Sequence, residues 1–109
     1  MKKGEVWLAV LPEGEGREQR GERPVLVLGS ANEVVIAIPF TRNPNVVTKP
    51  FTASFDPTKE NGLTDCSTLL VFQLMALSET RFIKKLGWIP KEQRAEIDDL
   101  VKELLKLGD

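Results

Sequence analysis

The chain has 109 residues, 15 Lys and Arg against 16 Asp and Glu, one Cys, no His and no Tyr, for a formal net charge of -1. The length suits one compact domain over residues 1–109 and is too short for a two-domain enzyme. Without imidazole, Ser-His-Asp and Cys-His catalysis and nearly every zinc site are excluded, so an enzyme site here uses other groups; no cofactor is expected. A lone cysteine forms no internal disulfide. The N-terminus lacks the charged start and apolar core of a leader, and no apolar run approaches the ~20 residues that cross a bilayer; the expectation is a cytoplasmic protein without membrane contact. The even charge balance argues against a surface that grips nucleic acid everywhere, but it permits a local basic patch.

Residues Glu5–Leu11 alternate, with Val6, Leu8 and Val10 on one face and Trp7 and Ala9 on the other, the pattern of a strand near a sheet edge. Residues 12–22 are rich in Gly and charge and predict a long exposed loop. Residues 25–28 form a buried strand opened by Pro24, 29–33 a turn, and 34–39 a third strand rich in β-branched side chains. An irregular loop over 41–49 leads to a strand over 50–55 with Phe51, Ala53 and Phe55 on one face. Residues 56–62 are dense in turn formers, and 66–77 are the longest apolar stretch. Residues 78–80 read as a tight turn or a single helical turn, and 81–89 as a final strand. Pro90 takes the first position of a helix whose apolar stripe is Ile97, Leu100, Val101, Leu104 and Leu107, with Gly108 as its stop. Short strands first and one amphipathic helix last predict a mainly β fold, a small and strongly bent antiparallel sheet or barrel with a C-terminal helix packed on it.

Gly14, Gly16 and Gly21 form no phosphate loop: Gln19 stands where a dinucleotide motif needs its third glycine, and Glu22-Arg23 where a P-loop needs Lys-Ser/Thr. Cys66 reads as a small buried hydrophobe and Asp98-Asp99 as a solvated pair. The informative feature is arginine placement. Arg17, Arg20 and Arg23 recur every three residues from the long loop into the second strand, and Arg42 follows the third. Each guanidinium carries a planar fork of donors that matches phosphate oxygens two at a time. The alternative for an exposed loop is pairing with Glu13, Glu15, Glu18 and Glu22. Arg23 differs from the rest, because the strand beginning at Pro24 fixes its backbone at the root of the loop. Thr41 holds the matching position after the third strand, where turn formation is the alternative role.

The segment Glu18-Gln19-Arg20-Gly21-Glu22-Arg23-Pro24, continued by Val25-Leu26-Val27, resembles the EQ-x-G-x-RP-hydrophobic motif of the MazF/PemK endoribonuclease toxins. Lys3-Gly4-Glu5-Val6-Trp7 is similar to that family's first strand, and Ile38-Pro39-Phe40-Thr41 to the end of its third strand with a fixed threonine. Lys49-Pro50-Phe51 and Leu70-Val71-Phe72-Gln73 resemble later segments, followed in order by an arginine-led strand at Arg81 and the helix. The resemblance implies an SH3-like small barrel that forms a homodimer and a toxin held inactive by a cognate antitoxin. It also implies metal-independent cleavage of single-stranded RNA at short sequences, the 2′-hydroxyl attacking the adjacent phosphorus to leave a 2′,3′-cyclic phosphate and a 5′-hydroxyl. Arg23 and Thr41 are then the central catalytic residues. Glu18 is the candidate base, and Gln19, Arg17, Arg20, Arg42 and Gln73 are candidate substrate contacts. Many relatives carry a basic residue shortly after the glutamine matching Gln73; here Leu74-Met75-Ala76 follows, which alters the expected RNA-contact surface. Topoisomerase-poison toxins share the fold without cleaving RNA, so a non-catalytic binding toxin or a degenerate interaction module is the alternative.

Overall fold

The computed structural model describes residues 1–12 and 21–108. Among them, strands β1 (Glu5–Leu11), β2 (Gly21–Ala31), β3 (Val34–Thr41), β4 (Thr52–Phe55), β5 (Ser67–Leu70), β6 (Met75–Ser78) and β7 (Phe82–Trp88) precede helix α1 (Lys91–Leu105). The pairings are antiparallel, in the order β4-β5-β3-β2-β1-β7, with β6 also on β3. The mainly β fold with a C-terminal helix is therefore present. The small barrel is open, because its outer strands β4 and β7 do not pair among the described residues. β1 is an interior strand and not an edge: Leu8 faces Pro24 of β2 on one side and Lys84 of β7 on the other.

Two local features lengthen or divide the expected strands. Asn32 and Glu33 both have positive φ, 54° and 67°. A two-residue turn of that kind has the twist of its flanking strands, so β2 runs on to Ala31 and the hairpin closes over two residues rather than five. The surplus residue is absorbed by a register shift between Val27 and Gly29. In the long apolar stretch, a 3₁₀ turn at Val71–Gln73 separates β5 from β6. β5 then pairs with the end of β3 (Thr41↔Thr68) and β6 with its start (Val34↔Ser78). Residues 79–81 form the single helical turn, capped by the Ser78 hydroxyl, which accepts from the Thr80 N–H at 3.4 Å.

Successive residues of β2 enter different apolar clusters. Leu26 joins Val6, Ile38, Phe40, Phe55, Leu69 and Ile97, whereas Val25 and Val27 join Ala9, Val35, Ala37 and Leu77. Each fully buried aliphatic side chain contributes ~1.5–3 kcal/mol. α1 covers the first cluster with Ile97, Leu100, Val101 and Leu104. Its stripe stops there. Lys106 turns left-handed (φ 56°), so the helix ends before Gly108, Leu107 stays exposed, and Pro90 caps the helix rather than occupying its first turn. Cys66 is exposed, contrary to the expectation of burial, because it lies in the turn before β5. Its thiol donates to Asp56 Oδ1 at 3.4 Å, and that bond beside a carboxylate pushes the thiol pKa up.

Glu5 ties β1 to its surroundings. Its carboxylate accepts from the Trp7 indole N–H at 2.9 Å and the Lys2 backbone N–H at 3.1 Å, and pairs with Lys85 Nζ of β7 at 3.1 Å. Burial pushes its pKa up, but these donors outweigh burial and hold it at about 2, against an ordinary 4.5. A depressed carboxylate pKa contributes stability that is complete above the unfolded value and lost as pH falls through the folded one. Glu5→Gln should therefore be less stable than the parent at pH 6, and the gap should close between about 4.5 and about 2. Urea melts of both proteins at pH 6 and pH 2.5 measure it; a gap independent of pH would remove the carboxylate from the account.

Candidate active site

β2 and β3 leave their shared ladder together. Two residues beyond the registered pair Val25↔Pro39 stand Arg23 on one strand and Thr41 on the other. Both line a cavity of about 510 Å³. One wall is the row Pro24, Leu8 and Lys84 across β2, β1 and β7. Another part of the lining is Thr41 at the end of β3 with Arg42 and Asn43 after it, and Thr64 before β5 with Ser67 at its start, while Phe40, Leu63 and Leu86 supply apolar surface.

Thr41 is buried, and its Oγ1 accepts from the Asn43 backbone N–H at 3.2 Å. That bond uses the hydroxyl as an acceptor and leaves its hydrogen to be donated, so the turn role does not use up the hydroxyl. Arg23 is half-buried, and its Nη1 donates to the Glu22 carbonyl at 3.3 Å. Arg42 pairs with Asp65 Oδ2 at 3.1 Å, and both side chains are mostly exposed, at 72% and 53%. A pair in that setting contributes ~0–1 kcal/mol. The Thr64 hydroxyl donates to the same Asp65 oxygen at 3.1 Å. Arg23, Arg42 and Lys84 against Glu22 leave the lining cationic among the described residues.

The turn beneath this wall is built on Asn61, which is 2% exposed. Its Oδ1 accepts from the Thr58 and Leu63 N–H groups at 3.0 and 2.9 Å, and its Nδ2 donates to the Asp56 carbonyl at 2.9 Å. The next residue, Gly62, has φ +68° and lies against the Leu86 carbonyl of β7.

Of the residues named from the sequence, the structure brings Arg23, Thr41 and Arg42 to one cavity. Gln73, in the 3₁₀ turn after β5, does not line it. Arg17, Glu18, Gln19 and Arg20 lie outside the described residues. Sequence reasoning missed Lys84, Glu22, Asn43 and Ser67 as lining residues. For Lys84 the signal was hidden: β7 shifts register against β1 at two places, between Val6/Trp7 and Leu8/Ala9, so simple alternation does not give its face.

The PemK-like, MazF-like toxin family of type II toxin-antitoxin systems matches residues 2–105. MazF (Form-I) from Deinococcus radiodurans is 27% identical, covering 95% of this chain and 94% of that one at a TM-score of 0.73. A chain of the MazE-MazF structure (Form-II) from the same organism is 25% identical, with 96% and 94% covered and a TM-score of 0.68. An endoribonuclease in complex with its cognate antitoxin, from a mycobacterial species, shares the fold at 18% identity, with 98% and 96% covered and a TM-score of 0.72. By a match that takes in both walls of the cavity and the helix behind them, this chain belongs to the PemK-like, MazF-like toxin family of type II toxin-antitoxin systems.

Proposed function

We propose that this protein is a metal-independent endoribonuclease toxin that cuts single-stranded RNA by attack of a 2′-hydroxyl on the adjacent phosphorus. The family's toxins are endoribonucleases, and the observation that carries the reading here is the convergence of Arg23 and Thr41, from different strands, on one cationic cavity. The nucleophile belongs to the substrate, so the protein has to bind, orient and stabilise. Negative charge grows on the phosphate oxygens in the transition state, and a guanidinium held at the root of β2 stabilises that charge more than it does the ground state. The Thr41 hydroxyl donates to the same oxygens. Glu18 takes the 2′-hydroxyl proton, and Arg42 exchanges Asp65 for a neighbouring phosphate. Gln19, Arg17, Arg20 and Gln73 are proposed contacts to flanking nucleotides, which must be unstacked for their bases to be read. The partners proposed are a second copy of the chain and an antitoxin, by analogy with the MazE-MazF and mycobacterial complexes.

Incubation of the purified protein with a long single-stranded RNA in EDTA tests the reading. Fragments ending in 2′,3′-cyclic phosphate and beginning with 5′-hydroxyl, cut at a shared short sequence, are expected. Intact RNA accompanied by growth arrest on expression would instead mark a binding toxin.

A further inference from the structure

We infer that Lys84 is the acid that protonates the departing 5′-oxygen, a role that rests on the cleavage reading above. The described lining of the cavity offers few groups for this step. Glu22 is a carboxylate, the hydroxyls of Thr41, Thr64 and Ser67 are very weak acids, and Arg23 and Arg42 carry guanidiniums, the poorest proton donors among cationic side chains. Lys84 brings the one alkylammonium among them, a stronger acid than guanidinium by residue type.

Its position also suits the step. Lys84 and Pro24 flank Leu8 in register, so their backbones stand two strand spacings apart, roughly 10 Å. Arg23, next to Pro24 in β2, and Lys84 in β7 line the same cavity, with β1 between their strands. Displacement at phosphorus places the attacking and leaving oxygens roughly in line on opposite sides of the phosphoryl group. A phosphodiester with its equatorial oxygens toward Arg23 and Thr41 then has one end toward β7, where Lys84 is. The step balances without a further reactant: the 2′-oxygen bonds to phosphorus, the bond from phosphorus to the 5′-oxygen breaks, and one Lys84 proton passes to that oxygen. The neutral amine regains a proton from water.

The test compares an ordinary RNA substrate with one carrying sulfur in place of the bridging 5′-oxygen at the cut site, since a thiolate leaves without protonation. Lys84→Ala should cleave the oxygen substrate about 10²-fold more slowly than the parent and the sulfur substrate at the parental rate. Lys84→Arg, which keeps the charge with a far weaker acid, should behave the same way. Arg23→Ala should stay slow on both. Lys84 is exposed, so these variants should melt with the parent. Equal impairment of Lys84→Ala on both substrates would assign it to charge or binding alone and overturn the inference, as would parental speed on the oxygen substrate. A parent protein inert toward both would remove the cleavage reading itself, a result separable from either of these.

Discussion

Arg23→Ala should cut RNA about 10²–10³-fold more slowly than the parent, with the loss in the chemical step rather than in substrate affinity. Arg23 is the third residue of β2, half-buried, and no apolar cluster includes it. Its truncation therefore leaves Val25, Leu26 and Val27 to hold the strand. In the proposed mechanism the guanidinium meets charge that appears only as the 2′-oxygen bonds to phosphorus, so single-turnover rates should fall far more than the affinity for a 2′-deoxy oligonucleotide, which binds but cannot react. Arg23→Lys should recover little, because a point charge does not replace a two-pronged fork. Equal losses in rate and affinity would make Arg23 a binding residue only.

Gly62→Ala should be severely damaging, because among the described glycines it combines a positive φ with a clash against backbone. A Cβ there meets the backbone carbonyl of Leu86, and the residue has φ +68°. The left-handed backbone alone costs a side-chain-bearing residue ~1–2 kcal/mol. The clash adds to this, because backbone on β7 cannot move aside without disturbing its pairing with β1. A total above about 3 kcal/mol is expected, one of the large losses that follow from combined strain and overpacking. Gly21 and Gly29 separate the contributions. Gly21 has φ +75° with nothing near its missing Cβ, and Gly29 has neither the positive φ nor a close neighbour. Urea midpoints of the three alanine variants should fall in the order Gly62, Gly21, Gly29, with Gly29→Ala close to the parent. A Gly62 variant as stable as the Gly21 variant would show that the turn can withdraw from β7.

The strand-first, helix-last order and the apolar clusters were legible because alternation and three- to four-residue spacing are local signals. Phe51, Ala53 and Phe55 do share the larger cluster, and Ile97 with its helical neighbours does cover it. Arg23 and Thr41 were legible for a related reason: Arg23 adjoins the apolar run that opens at Pro24 and Thr41 closes β3, so each has a backbone fixed by a strand. What stayed hidden depends on contacts between distant segments. The division of the 66–77 stretch follows from β3 accepting two partners, and the arrival of Lys84 follows from register shifts between β1 and β7. The exposure of Cys66 reflects its place in the turn before β5 and its bond to Asp56. Hydropathy, which favours a buried cysteine, carries neither fact.

The strand β3 bonds β2 along most of its length, β6 at its start and β5 at its end. Together with β1 and β7 it makes a cavity whose lining runs from Leu8 to Leu86. Such a site has no early version. Pairings this far apart in sequence form late in folding, since each must first close a long loop. A chain interrupted before β7 could fold its first hairpin and carry both Arg23 and Thr41, yet it would lack the part of the lining that Lys84 and Leu86 supply. Toxicity in such an architecture begins only once β7 is in place, and a nonsense mutation anywhere upstream of β7 should be as harmless to the cell as deletion of the gene.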